Sequence, residues 1–166
     1  AFSKYKDNRP DREAKSIDVA SADKLFSSIA GIYGRTIDLS DQYIARVENS
    51  KVILVLEELR QTAGEDAYKK EVAALKGEDR KQYDEFIKNE TNELAVVVGY
   101  LKDAYKLQKS ISGLDIKGMV SSPFKLPSVL KAASHAKDQV SYSIDSLKWL
   151  KKTSDVYKAM QEHTGR

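Results

Sequence analysis

The sequence contains no cysteine, so its 166 residues cannot form a disulfide, a thiolate nucleophile or a cysteine-ligated metal site. Histidine is nearly as scarce, because His135 and His163 are the only two. Neither stands three residues after a glutamate, and no His-x-x-x-His pair occurs, so the ligand spacings of di-iron and zinc sites on helices are missing. We therefore predict no metal and no other cofactor.

Proline and glycine are also few, at three and eight residues, which leaves room for long uninterrupted elements. Hydrophobic residues make up 41% of the chain and charged residues 32%, a balance typical of a folded rather than a disordered protein. Apolar residues recur at three- and four-residue spacing, and no segment alternates with the period of a strand. We predict an all-α protein, an elongated antiparallel helical bundle of three long helices plus one short helix, with residues 18–166 as a single domain.

The apolar pattern also predicts where the helices begin and end. The first stripe changes face near Ser50, which indicates either a kinked helix or two helices that meet there. Gly64 and Gly77 are placed as glycines that end helices. Residues 153–155, Thr-Ser-Asp, are a candidate interruption of the last helix. The four predicted helices cover residues 21–62, 65–76, 78–111 and 127–162.

Motifs of well-known enzyme classes are missing from the sequence. There is no Gly-x-Ser-x-Gly elbow, no glycine-rich phosphate loop and no dinucleotide fingerprint. Adjacent carboxylates such as Glu57 with Glu58, and neighbouring ones such as Glu90 with Glu93, alternate with basic residues. We interpret them as solvated helix faces rather than acid–base pairs. The chain is predicted not to be an enzyme, with an enzyme that carries no recognisable motif as the second alternative.

Four of the nine tyrosines, Tyr33, Tyr43, Tyr83 and Tyr105, lie on the predicted core stripes. Their simplest role is to fill the core while their hydroxyls reach its rim. The alternative is that they line a pocket for an apolar, lipid-like ligand between the helices. That alternative would make the protein a carrier.

Residues 112–126 interrupt the helical pattern and combine lysines with large apolar side chains. The surrounding region is basic, because residues 94–166 carry 12 basic and 6 acidic side chains, whereas residues 41–93 carry 9 and 13. Such a segment can bind a protein partner or an anionic membrane surface, or it can close one end of the bundle. Nucleic acid is not an expected partner, because residues 94–166 hold only one arginine. The candidate contact residues are Lys109, Lys117, Met119, Val120, Phe124, Lys125 and Lys131.

An uncharged apolar run covers residues 94–101, from Leu94 to Leu101, and is shorter than a membrane-spanning helix. It is uncharged around the full helix circumference, which two neighbouring helices do not cover. The sequence therefore predicts that a further helix or a second copy of the chain packs there, the latter giving a homodimer.

Residues 1–17 are polar and mixed in charge, and we predict that they form a flexible tether. A polar tether before a helical rod is similar in composition to small exported bacterial envelope proteins, including lipoproteins. That resemblance implies a periplasmic or otherwise extracytoplasmic location, with the chain tethered to a membrane through a removed N-terminus. A cytoplasmic location is the alternative. The leading hypothesis is a non-enzymatic interaction or adaptor protein of the bacterial cell envelope.

Overall fold

The computed structural model describes residues 2–164; Ala1 of the predicted tether and residues 165–166 of the predicted domain lie outside the described residues. Residues 2–164 contain no strand, so the all-α prediction is confirmed for them. Short 3₁₀ turns occur at Ser3–Tyr5, Leu94–Val96, Lys117–Met119 and Pro123–Lys125. The α-helices of this part of the chain are α1 (Ala20–Glu48), α2 (Lys51–Ala63), α3 (Glu65–Ala74), α4 (Gly77–Glu93), α5 (Val97–Ser112) and α6 (Leu126–Thr164).

None of the helices in the described part of the chain combines the length and the apolar character that crossing a membrane requires.

Ser50 separates α1 from α2, which confirms the alternative of two helices meeting there. Its backbone is extended, with φ −119° and ψ 116°, and its hydroxyl accepts a hydrogen bond from the Ile53 amide at 3.4 Å. The serine thus serves as the N-cap of α2. The buried face of α2 carries Ile53, Leu56 and Glu57, whereas Val55 is 60% exposed.

Two glycines with positive φ bound the short helix α3. Gly64 has φ +90° and Gly77 has φ +57°, values that residues with a Cβ rarely adopt. Between them, α3 buries Tyr68 and Val72 and packs against α2.

The third predicted helix, residues 78–111, is divided in the structure into α4 and α5. The 3₁₀ turn Leu94–Val96 lies between them, and the Leu94 amide donates to the carbonyl groups of both Asn92 and Glu90. Residues 96–98 are three consecutive valines, whose β-branched side chains are poorer helix formers. A 3₁₀ turn has 3.0 residues instead of 3.6, so the apolar stripe enters α5 on a different face.

Helix α6 is continuous through residues 153–155, so the predicted interruption is wrong. Thr153 and Ser154 are buried, and the Thr153 hydroxyl accepts a hydrogen bond from Arg60 at 3.3 Å. These small polar side chains therefore belong to the inner face of a continuous α6 and do not end it. The buried face of this part of α6 contains Leu150, Thr153, Ser154, Tyr157 and Met160.

The chain divides into two compact units. The first unit comprises residues 1–6, 39–95 and 150–166, and the second unit comprises residues 7–38 and 96–149. Helices α1 and α6 each contribute residues to both units. The segment 112–126 and most of the predicted tether belong to the second unit, whereas the acidic region 41–93 lies entirely in the first.

Candidate functional site

The segment that joins α5 to α6 is organised by local turns. The Gly113 amide donates to the Lys109 carbonyl at 3.1 Å and ends α5. The Gly118 amide donates to the Asp115 carboxylate at 3.1 Å, which closes the turn Lys117–Met119. These bonds give residues 113–120 a defined backbone and fix where their side chains emerge.

Phe124 is the most exposed large apolar side chain of this segment, at 93%. Met119 and Val120 are half-buried, so two of the three predicted apolar contact residues also cover part of the second unit. The four predicted basic contact residues, Lys109, Lys117, Lys125 and Lys131, are all exposed. The structure thus presents one aromatic ring to solvent among lysines.

The predicted core position of Tyr105 is wrong, because its side chain is 42% exposed and its ring lies 5.9 Å from the Lys148 ammonium. The cause is the change of face at Leu94–Val96. Within α5 the buried residues are seven apart, at Val97, Ala104 and Ile111. Tyr105 is one position, or about 100°, away from that stripe.

Tyr33 is buried in the second unit, beside residues of the predicted tether. Its hydroxyl donates to the Pro10 carbonyl at 2.5 Å, and its ring meets the Tyr142 ring edge-on at 5.7 Å. Burial raises the pKa of Tyr33 to about 12. Arg9 donates to the Tyr142 hydroxyl at 2.9 Å, and Gln139 donates to the Asp11 carbonyl at 2.8 Å. Residues 9–11 of the predicted tether therefore contact α1 and α6 within the second unit.

The first unit contains a buried polar network that we call the Glu57 cluster: Tyr43, Glu57, Arg60, Thr153 and Tyr157. The Tyr157 hydroxyl donates to Glu57 Oε1 at 3.1 Å. The two tyrosine hydroxyls are 2.6 Å apart, and because the Tyr157 proton is already engaged, Tyr43 is the donor between them. Arg60 donates to Glu57 Oε2 at 2.7 Å. Both carboxylate oxygens are thereby paired.

The burial of the cluster governs its electrostatics. Glu57 is 1% exposed, and Tyr43 and Tyr157 are 0% and 1% exposed. Burial raises the pKa of both tyrosines well above the ordinary value, and the negative charge of Glu57 raises it further. For Arg60, burial lowers the pKa, but the charge and hydrogen bond of Glu57 more than offset this and raise it. The cluster is therefore one ion pair surrounded by neutral phenols.

Two further buried polar pairs lie in the same unit. The Tyr68 and Tyr83 hydroxyls are 2.6 Å apart, and burial raises the pKa of Tyr83 to about 12. Glu90, at 1% exposed, accepts two hydrogen bonds from Arg46, the one from Nη2 at 3.0 Å. Of the four candidate tyrosines, Tyr43 and Tyr83 thus belong to the first unit, and Tyr33 and Tyr105 to the second.

The interpretation of Glu57 and Glu90 as solvated residues is wrong, because each is buried against an arginine. A signal for Glu57 was present in the sequence. It lies four residues after Ile53 and one after Leu56, on the buried face of α2, and Arg60 follows three residues later. Tyr157 was missed in the same way, although it lies seven residues after the buried Leu150 on one face of α6.

The Glu57 cluster offers no free position at its carboxylate, since protein donors occupy both oxygens. Across residues 2–164, no group of three or more His, Asp or Glu side chains is arranged to hold a metal ion. This arrangement can hold helices in register by hydrogen bonding.

No known protein family, no curated protein and no solved structure matches this chain. Two features described above are the candidates for a functional role: the exposed segment 112–126 and the buried Glu57 cluster.

Proposed function

We propose that this chain is a non-enzymatic interaction protein of the bacterial cell envelope, built on an elongated antiparallel helical bundle, and that residues 112–126 dock onto an anionic membrane surface. The observation that carries the proposal is Phe124, whose side chain is 93% exposed beside Lys125. Moving a phenylalanine side chain out of water contributes up to about 1.5–3 kcal/mol. Exposure of this ring in the free chain supports a role in binding.

The charge of the same segment supports an anionic surface as the occupant. Lys117 and Lys125 are exposed on it and Lys131 is exposed shortly after it in α6, whereas the segment holds the single carboxylate of Asp115. Lysines next to an inserted apolar side chain add electrostatic attraction to anionic lipids, which salt screens within about 10 Å at 0.1 M. One ring and a few lysines give weak, reversible binding, which suits a chain that a second anchor already holds at the membrane.

Vesicle flotation of the full chain at low salt tests this proposal. We expect binding to vesicles that contain phosphatidylglycerol and little binding to vesicles of neutral phosphatidylcholine. Phe124→Ser should lower the affinity about tenfold or more, because it removes most of the contribution of a buried phenylalanine. Val55→Ser is the matched control, because Val55 is also exposed, at 60%, but lies in the first unit. Equal binding to both lipids, or unchanged binding of Phe124→Ser, would contradict the proposal.

The carrier alternative receives less support from the candidate tyrosines. The hydroxyls of Tyr33, Tyr43 and Tyr83 hydrogen-bond to Pro10, Tyr157 and Tyr68. An apolar ligand between the helices would have to displace side chains whose polar atoms are already paired. These contacts favour the role of filling the core.

The run 94–101 remains our proposed contact for a homodimer. Leu94 and Val97 are buried, whereas Val96 and Val98 are 44% and 56% exposed. The exposed side chain of Val98 is apolar surface that a second copy can cover. We expect sedimentation equilibrium to detect a dimer that Val98→Ser weakens without loss of helix content. A strict monomer at high concentration would remove this proposal.

A further inference from the structure

We propose that a groove between α1 and α5 in the second unit binds a phosphomonoester group. Lys24 and Arg35 on α1 and Lys106 on α5 line this groove, together with the hydroxyl of Ser27. The proposal is independent of membrane docking, since it uses none of the residues 112–126. It concerns a ligand site in a different part of the same unit.

The two helices run antiparallel along the groove. The Arg35 guanidinium lies 5.7 Å from the centre of the Tyr100 ring, near the start of α5. Lys24, near the start of α1, shares the groove with Lys106, which is in the second half of α5. Cations from two different helices are therefore brought into one concave site, where their charges add.

The charge of the groove matches a phosphomonoester. Three cations face one carboxylate, that of Asp103, so the net charge of the lining is +2. In the part of the chain that the structure describes, none of the three cations has an ion-pair partner within 4.0 Å. A phosphomonoester carries about −1.5 to −2 at pH 7 and presents three acceptor oxygens. A phosphodiester or a carboxylate carries only one negative charge and would leave the groove positive.

The geometry around Arg35 favours recognition of a planar pair of oxygens. The Arg35 guanidinium makes a cation–π contact with Tyr100, and a guanidinium can donate two parallel hydrogen bonds to a phosphate. Gly31 also lines the groove, and a Cβ there would make only ordinary van der Waals contact with Arg35 Nη1, at 3.6 Å. Ser27 adds a hydroxyl donor from the same helix.

The experiment is an NMR titration of the full, isotope-labelled chain with glycerol 3-phosphate at constant ionic strength, without membranes. We expect saturable shifts of the Gly31, Arg35 and Lys106 amides. Removing one charged donor should weaken binding about tenfold in Lys24→Gln and in Lys106→Gln. Arg35→Lys should also weaken binding although it keeps the charge, because it loses the paired donors.

Lys137→Gln is the matched control, since Lys137 is an exposed lysine of the second unit outside the groove, and it should bind as the unaltered chain does. Dimethyl phosphate, a phosphodiester with one charge, should bind more weakly than glycerol 3-phosphate. The proposal is overturned if both ligands give the same response, if the shifts do not saturate, or if Lys24→Gln with Lys106→Gln binds normally.

The phosphomonoester can come from a lipid headgroup or from a soluble compound, and competition separates these sources. The Phe124→Ser background keeps segment 112–126 out of the measurement. If a headgroup reaches the groove, vesicles with phosphatidic acid will compete with glycerol 3-phosphate, whereas phosphatidylglycerol vesicles of equal charge will not. If only soluble phosphates enter, neither vesicle will compete. Both results support the site, and neither depends on whether segment 112–126 docks to membranes.

Discussion

The two units of this chain differ in the kinds of side chain that fill their cores. The first unit buries four tyrosines with their hydroxyls paired, together with the carboxylates of Glu57 and Glu90. The core of the second unit consists largely of aliphatic side chains and of small residues of α6. Tyr33 is the buried tyrosine of this unit. The buried small residues of that part of α6 are Ala132, Ala133, Ala136, Ser143 and Ser146.

This difference should affect how well each core tolerates substitutions more than it affects the net free energy of unfolding. An aliphatic core accepts many substitutions that keep its volume and pattern. A buried ion pair contributes little net stability when intact, but it is strongly destabilising when one partner is removed. The first unit should therefore respond sharply to single changes that remove one polar group, and the second unit should respond mildly.

The largest expected effect is alkaline unfolding driven by the first unit. The folded pKa values of Tyr43 and Tyr157 are raised well above the ordinary value of 10.0, and that of Tyr83 is raised to about 12. The unfolded chain releases these protons near pH 10, so the stability is fully present below that pH and is lost as the pH rises through the folded pKa values. Helix circular dichroism and tyrosinate absorbance should change together above pH 10. Ionisation of all nine tyrosines with the helices intact would contradict this.

Among single substitutions, Arg60→Met should destabilise the first unit most. It leaves the Glu57 carboxylate buried without its cation, and we expect the free energy of unfolding to fall by about 3–5 kcal/mol in urea denaturation. The control is Lys151→Met, which removes the exposed pair of Lys151 with Asp155, side chains that are 45% and 54% exposed. That change should cost about 0.5 kcal/mol or less. Equal losses in the two variants would show that the cluster is not special.

Tyr157→Phe and Tyr33→Phe compare the two units with the same chemical change. In the first unit the substitution removes the hydrogen bonds of the Tyr157 hydroxyl with the Tyr43 hydroxyl and with Glu57 Oε1 in a buried site, so we expect a loss of about 1–3 kcal/mol. In the second unit, the lost bond to the Pro10 carbonyl is only partly buried and water can replace it, so the loss should be about 0.5–1.5 kcal/mol. A larger loss for Tyr33→Phe would reverse the comparison.

Local signals in the sequence were sufficient to predict most of the helices. Ser50, Gly64 and Gly77 each act on neighbouring backbone groups, so their effects follow from residue type and position. The start of α6 at Leu126 differs by one residue from the predicted start at residue 127. Such features depend on hydrogen bonds that close within a few residues.

The features that sequence reasoning missed depend on distant partners. Glu57 is buried because Tyr157, 100 residues later in the chain, donates to it. Tyr105 is exposed because the turn at Leu94–Val96 rotates the stripe of α5, a change of less than one residue that an average helical period does not reveal. The exposure of Phe124 and the groove beside Arg35 likewise depend on how separate segments come together.

The hydrogen bonds of the Glu57 cluster have a single direction, from Tyr43 to Tyr157 to Glu57, with Arg60 donating from the other side. Position 57 must therefore accept at both of its terminal atoms. Glutamine, the closest isostere, would present an amide N–H to one of these donors. In the descent of this protein, replacement of Glu57 should consequently be accepted only together with a change at Arg60 or Tyr157, so the three positions are expected to covary among its orthologues.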